Sequence, residues 1–540
     1  MRDDWKLLEH AHRSKLSTTK AARKSILDEH GVRYSVLNEL PGWLPMRRSP
    51  IDFMHNFYTL VKRFLFDIVT TGHLLDSTGW DLFQDSINSV IWPSGIGRLP
   101  KNLADDHGLP KADQWRRLSS IYPFILWLCW RDHRDEIKAS APPVPASAKP
   151  QPTFKRDLRT IYKLVLYLSV SERILASKAI SINDIDRGQA YLQLYCQGLE
   201  SLGVHQTINS HLAMHYSLVF RQYGPAYATW LFGFERFNGV LEDVNLNGHG
   251  GGEMEYSLAR DWVEKHRLYE LAISLPKGAS DKEHKLVQQA IDQKGLDRGT
   301  LRTQIAQFTS GDSILPPRLT SKTKLTSLRG LQHPQVYQLL VGFLQHKFPD
   351  LNVVDDMTAE LGTTVLFASR SAKVLPFIVK DGIRFGSATA TQTNADQFAG
   401  VLMHDTRVPC KIIYHFEIHL PDQVFYCSAV QKMVSDDRIP VMPWDHFATD
   451  LGVNIVYENI FGPLEIIASS QLSCAVAIIP ITTDVLAEEK SLWVVQSFDR
   501  VSPKKDLFLF RNSFTSRLGL KLMTTGCAVI QTKMVTLQAR

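Results

Sequence analysis

Ile51-Asp-Phe-Met-His-Asn-Phe-Tyr-Thr-Leu-Val-Lys-Arg-Phe-Leu-Phe-Asp-Ile68 spaces its large apolar residues three and four apart: Ile51, Met54, Phe57, Leu60, Val61, Phe64, Leu65 and Ile68. That spacing puts them on one face of an amphipathic helix. Upstream, residues 1–33 keep a helix-like pattern in which Trp5, Leu7 and Leu8 form the one large apolar cluster. The prolines and glycine of Leu40-Pro-Gly-Trp-Leu-Pro45 break the pattern before the quoted helix. Downstream, a loop at Trp92–Arg98 leads into a second long helix from about Asp113 to Arg134. Its apolar run Ile121–Trp130 is too short to cross a bilayer and holds Pro123, so it reads as a buried helix. The proline-rich stretch 138–152 reads as an exposed loop inside this helical region, because helical spacing resumes at Leu158–Leu168 and again at Ile185–Leu202.

The period changes later in the chain. Residues 271–350 form a polar connector with Pro316-Pro317 and a short helix near Val336–Leu344. Cys410–Leu420 then alternates, setting Ile412, Tyr414, Phe416 and Ile418 on one face and Lys411, Glu417 and His419 mostly on the other. Val424–Val430, Ala475–Ile479 and Leu492–Val495 are similar short strands. The expected fold class is therefore α+β and multi-domain: an all-α region over 1–270, the connector over 271–350, and a β-rich domain over 351–540.

The chain has 540 residues, 44% hydrophobic and 21% charged, with a formal charge of +6. Those values belong to a folded protein with a mild preference for anionic partners. Its six cysteines form no CxxC pair, which argues against a disulfide framework or a zinc ribbon. No secretory signal is visible, so a soluble intracellular protein is expected. Positive charge gathers at Lys504, Lys505, Arg511, Arg517 and Lys521, with Asp506 the one acid nearby. Charge patterning by itself makes this a solvated basic face.

Chemistry-bearing residues are few. In Tyr223–Leu241, Gly224-Pro225 is a good helix start, and Phe234, Phe237, Leu241 and Val244 fall on a core-facing stripe. Glu235 lies beside that stripe with Asn238 and Glu242. Spacing alone favours an ion pair for Glu235, with Arg236 or a neighbouring helix, over metal ligation. Asp52 and His55 share a helix face at i, i+3; Asp52 fits an N-cap, a role compatible with supporting a site. His211 and His215, at i, i+4, lack the intervening glutamate and a nearby third ligand that a zinc site would need. Asn247-Gly-His-Gly-Gly-Gly252 follows a helix and no strand, so it reads as a helix C-terminal turn and not as a phosphate cradle.

Three ordered blocks carry a resemblance. They are Gly31-Val-Arg-Tyr-Ser35 with Pro50-Ile-Asp-Phe-Met-His-Asn56; Trp92–Arg98, Pro100 and Asn102 with Ala112-Asp-Gln-Trp-Arg116; and Gly224-Pro225 through Phe234-Glu-Arg-Phe-Asn-Gly-Val-Leu241 with Asn247–Glu253. Together the blocks resemble CACTA-type DNA transposases of the Plavaka-like kind found in fungi, across about residues 30–265. Phe53 stands where that family usually has proline.

The resemblance implies a ribonuclease H-like, cut-and-paste transposase core in which Glu235 is the third catalytic carboxylate, on a helix. Asp52 and His55 would then be supporting residues in a helical insertion. It also implies Mg²⁺ as cofactor, DNA as partner and a nuclear protein, although no targeting signal excludes the cytoplasm. The two strand-borne aspartates of such a core belong upstream of Gly31, where this sequence is helix-like, so the sheet is expected to be largely missing. Two-metal phosphodiester chemistry needs several convergent carboxylates. Glu235 would hold metal only if those aspartates were supplied, by the missing strands or by a related transposase in trans. The expectation is a catalytically silent remnant that binds DNA non-specifically through Lys504, Lys505, Arg511, Arg517 and Lys521. Asp52 and Glu235 should lie in the same half of the molecule, among apolar helix faces left exposed. A decayed or domesticated protein-interaction module is the alternative. A metal hydrolase built on Asp52, His55, His211, His215 and Glu235 is the least favoured reading.

Overall fold

The computed structural model describes residues 3–96, 98–100, 103, 112–235, 238, 253–274, 279–280, 282–283, 286, 314–315, 325–355, 366–367, 371–381, 383–390, 394–420, 423–486 and 491–498. Helices fill the N-terminal half and an antiparallel sheet fills the C-terminal half. The principal helices are α1 (Asp4–Leu16), α2 (Lys20–His30), α3 (Phe53–Arg63), α4 (Ser77–Ser89), α5 (Ala112–Trp130), α6 (Leu158–Leu175), α7 (Ile182–Ser201), α8 (Ile208–Ala213), α9 (Tyr216–Tyr223), α10 (Glu253–Ser274) and α11 (Val336–Lys347). Many open with a side-chain cap that satisfies amides the first turn leaves unpaired, among them Thr19, Asp52, Asp76, Asp157 and Ser181.

The periodic run from Ile51 is the centre of this half. Phe53, Met54, Phe57, Leu60, Val61, Phe64, Leu65 and Ile68 are all buried. The ladder loosens into a π-helical turn over Phe64–Thr70, a feature often met near functional sites. Helix α5 carries Pro123 in its interior, yet the helix continues. Proline removes the amide that would bond the Ser119 carbonyl, and Ser169 Oγ donates to that carbonyl instead, at 3.2 Å. The helix ends at Trp130, short of the expected Arg134. The Asp132 carboxylate accepts from the amides of Arg134 and Glu136, and Asp135 turns into the left-handed region at φ 61°, so a side-chain turn replaces the next helical turn.

The main sheet has nine strands: β1 (Thr326–Ser327), β2 (Ser371–Leu375), β3 (Phe398–Met403), β4 (Thr406–His419), β5 (Val424–Met433), β6 (Val453–Tyr457), β7 (Phe461–Ala468), β8 (Leu472–Ile481) and β9 (Leu492–Ser497). Their order is β6-β9-β8-β3-β4-β5-β7, with β2 beside β4 and β1 beside β2, every pairing antiparallel. Expected strand Cys410–Leu420 is the core of β4, but its face assignment needs correcting. The β4–β5 register slips at Ile413, so Ala429 faces Tyr414 while Val430 faces Ile412. One extra residue in a bulge reverses the sidedness of everything beyond it. Cys410 and Ile412 therefore join the cluster with Leu375 and Phe385, while Tyr414 and Phe416 join a different one against α11. Both faces of β4 are covered, which explains why Glu417 and His415 are buried although alternation assigned the even-numbered apolar residues alone to the core.

Helices and sheet share the largest core cluster, in which Trp127, Leu166 and Leu168 meet Trp444, Val453, Ala477, Ile479 and Val494. Trp444 sits edge-on between Phe124 and Trp127, with ring centroids 5.0 and 5.2 Å away. Arg173 donates to the Ser497 carbonyl at 2.6 Å, and Arg187 pairs with Asp450 at 2.5 Å. After α4 the chain covers an open stretch of β8: Ile91 and Ile478 exchange backbone bonds of 2.9 and 3.1 Å. No helix among the described residues is long and apolar enough to cross a membrane.

Candidate functional site

Asp52 opens α3 as its N-cap. Its Oδ1 accepts from the Met54 amide at 3.2 Å and its Oδ2 from the His55 amide at 3.0 Å. The i, i+3 spacing then lays the His55 ring beside the same carboxylate, Nδ1 against Asp52 Oδ2. Across a long stretch of chain, the Leu231 amide also donates to Asp52 Oδ1, at 3.1 Å. That bond fixes the start of the helical turn at 232–235 against the start of α3. It delivers Glu235, whose Oε1 lies 3.0 Å from His55 Nε2. Asp52, His55 and Glu235 thus form a continuous carboxylate–imidazole–carboxylate line joining two of the motif blocks.

The line runs from interior to solvent. The Asp52 side chain is 17% exposed, while those of His55 and Glu235 are 58% and 49% exposed. Behind it, Phe53 is fully buried and stacks on Phe57 at 4.8 Å, with Tyr216 at 5.0 Å and Phe220 at 5.9 Å. Phe53, in the Pro50–Asn56 motif, is therefore an aromatic wedge holding α9 against α3. Asn56, the last residue of that motif, is buried; it donates to the Asn209 carbonyl at 3.1 Å and accepts from the Tyr216 hydroxyl. Burial pushes the Tyr216 phenol well above its usual range, so it stays a neutral donor.

Carboxylate oxygens only accept, and a neutral imidazole has one N–H. Both His55 contacts are hydrogen bonds together only when both ring nitrogens carry a proton. The arrangement can orient Glu235 through the His55 ring. It does not fit a two-metal centre. Both Asp52 oxygens already accept from amides and from His55, and one Glu235 oxygen is on His55. Among the described residues no group of three or more His, Cys, Asp or Glu side chains is placed to hold a metal ion. His211 and His215 do come together, with Nε2 atoms 3.4 Å apart, as a pair of rings with no third ligand among the described residues.

Other expected residues fall elsewhere. Phe234, read as core, is 67% exposed; Trp230 and Phe232 take the buried positions instead. The chain enters this turn through a 3-10 helix at Ala226–Ala228, which rotates the following residues relative to a helix begun at Pro225. Phe237, Leu241 and Val244 lie outside the described residues, as do the glycine-rich 247–252 and the basic residues Lys504, Lys505, Arg511, Arg517 and Lys521. Sequence reasoning missed the Leu231 amide, because a backbone donor leaves no trace in residue type. It also left Asn56 without a role, although a lone amide on an apolar helix face was a signal. In comparisons with protein-family models, with curated proteins and with solved structures, nothing matches this chain.

Proposed function

We propose that this protein is a transposase-derived DNA-binding protein of the CACTA-type kind, the remnant of a ribonuclease H-like cut-and-paste enzyme. In this reading Glu235 is the third catalytic carboxylate, residues 232–235 open the catalytic helix, and α3 to α9 are the helical insertion. The observation that carries it is the meeting of Asp52 and His55, from one sequence motif, with Glu235, from another, at 3.0 Å across the fold. Asp52 is hydrogen-bonded to His55, and Glu235 reaches the other ring nitrogen of His55 as an ion-pair contact, so residues of two motifs meet at one place. His55 positions Glu235, and Asp52 fixes both His55 and the turn that carries the glutamate.

Catalysis by this polypeptide alone is not part of the proposal. A two-metal centre needs several free, convergent acids, and this site offers Glu235 beside an Asp52 whose oxygens are already occupied. Mg²⁺ belongs to the family's chemistry, and this chain would hold it only with further carboxylates supplied in trans. Binding to DNA runs through phosphate contacts of basic residues, Lys504, Lys505, Arg511, Arg517 and Lys521 included, in a protein that works in the nucleus.

The test is a titration of the full chain against duplex DNA at ~50 and ~200 mM salt. The expected affinity is about 10⁻⁴–10⁻⁶ M at physiological salt, with little sequence preference and a steep salt dependence. One set of exposed side chains favours a second reading. Phe234, Tyr256, Trp262 and Val263 place apolar surface on solvent in the segment that follows the site, as a protein-interaction module would. No binding to duplex DNA even at low salt would replace the first reading with this one.

A further inference from the structure

The Gly31-Val-Arg-Tyr-Ser35 motif has no part in the line of acids and imidazole, yet it closes a groove of its own. Helices α1 and α2 form a hairpin. Gly31 caps α2 in the left-handed region at φ 67°, with its amide on the Leu27 carbonyl at 2.7 Å. That turn brings Arg33 and Tyr34 back against the hairpin. Together they enclose an open groove of about 540 Å³ lined by Lys15, Arg23, Lys24, Asp28, Arg33 and Tyr34, among others. Four cations face one acid.

Their partners divide them into two groups. Lys15 donates to Glu39 at 2.6 Å, and the Tyr34 hydroxyl donates to the same carboxylate oxygen at 2.8 Å, so this rim is locked and neutralised. Arg23 gives its Nε to the Ser17 carbonyl at 2.9 Å, which anchors the guanidinium. Lys24 and Arg33 are exposed and make no hydrogen bond or ion pair with any described residue. A self-contained structural cluster would pair its cations with acids. Here Asp28 is the one acid on the lining, and the donors left over suit an anion with several oxygens, which a guanidinium binds through paired N–H groups.

We infer that the groove between α1, α2 and Arg33 is a phosphate-binding site, with Lys24 and Arg33 as its ligands and a phosphodiester of a nucleic-acid backbone as its occupant. The nucleic-acid half rests on the proposed DNA-binding function; the phosphate half does not. The groove residues are distant in sequence from the basic residues 504–521, so the site adds a contact that the sequence reading did not assign.

The experiment uses the full chain and the variant Lys24→Gln/Arg33→Gln, which removes two exposed groups that have no partner among the described residues, with circular dichroism to check the fold. The first arm measures duplex affinity against salt. Loss of two phosphate contacts lowers the slope of log K against log salt by about 2. The charge-matched variant Lys504→Gln/Lys505→Gln separates the groove from the tail. The second arm adds inorganic tripolyphosphate and reads the melting temperature, expected to rise for the wild type and not for the groove variant. A wild type that ignores DNA but is stabilised by tripolyphosphate through Lys24 and Arg33 keeps the phosphate site and removes the DNA function. A groove variant that matches the wild type in both salt slope and tripolyphosphate response overturns the inference, whether or not the protein binds DNA.

Discussion

Asp52 accepts from three backbone amides and touches an imidazole, so removing its side chain releases more than a helix cap. A lost N-cap costs about 1 kcal/mol, and the part-buried Leu231 amide left without its acceptor adds a similar amount. Asp52→Ala should therefore lower stability by about 2 kcal/mol in a denaturant titration. His55→Ala should cost less than about 1 kcal/mol, because its contact with Glu235 is exposed and screened. The reverse order of the two effects would show that Asp52 is not the anchor of this site. The cap was legible at the residue scale, since Asp before an apolar run has a physical meaning in sequence. The His55–Glu235 contact was not, because it depends on a turn around Leu231 set by tertiary packing.

Elements differ in how completely sequence specified them. The helical period around Ile51 maps onto α3, where burial of one face enforces it, and the branched and aromatic runs Val424–Val430 and Leu492–Val495 fall in β5 and β9, the latter buried on both faces. The bulge at Ile413 escaped, because a single extra residue leaves the composition of the strand unchanged. Close helix packing is also carried by small residues that periodicity ignores. A Cβ on Gly198 of α7 would come within 2.2 Å of Leu164 Cδ2 on α6, and one on Gly188 within 2.8 Å of Leu175. Gly198→Ala should destabilise by about 1–3 kcal/mol through overpacking. Gly342→Ala in α11 meets nothing within 4 Å and should stabilise by about 0.5–1 kcal/mol. Equal thermal shifts for the two variants would contradict the α6–α7 packing.

At the scale of the whole molecule, a buried polar line crosses the sheet. His415, fully buried, contacts Ser428 Oγ at 2.8 Å through Nδ1 and the Phe385 carbonyl at 3.1 Å through Nε2, and Ser428 meets Ser469 at 2.7 Å. Nε2 is then the donor and Nδ1 the acceptor, a neutral ring. Burial lowers the His415 pKa from 6.5 to about 4. The folded state thus refuses a proton that the unfolded state accepts. The stability tied to the neutral ring is whole above pH ~6.5, falls as pH drops toward 4, and is worth about 3 kcal/mol at the acid end. Wild-type stability should decline between pH ~6.5 and ~4.5, before most carboxylates titrate, and His415→Gln, though weaker at neutral pH, should show a flatter profile. Identical slopes would exclude His415 as the acid-sensitive group.

At this scale the joint core of helices and sheet was the least legible feature. Trp444 and Val453 fall in the stretch expected to be a separate β-rich domain, and only the folded arrangement puts them in one core with Trp127 and the α6 side chains. The transposase-derived account makes one demand of the whole chain: it carries the glutamate and its helical setting without the rest of a cutting centre. The direct measurement is a nicking assay on supercoiled and duplex DNA in Mg²⁺ or Mn²⁺, with the purified 540-residue protein and its Glu235→Gln variant. The account predicts no cleavage or joining by either protein. Cleavage by the wild type that disappears in Glu235→Gln would contradict it.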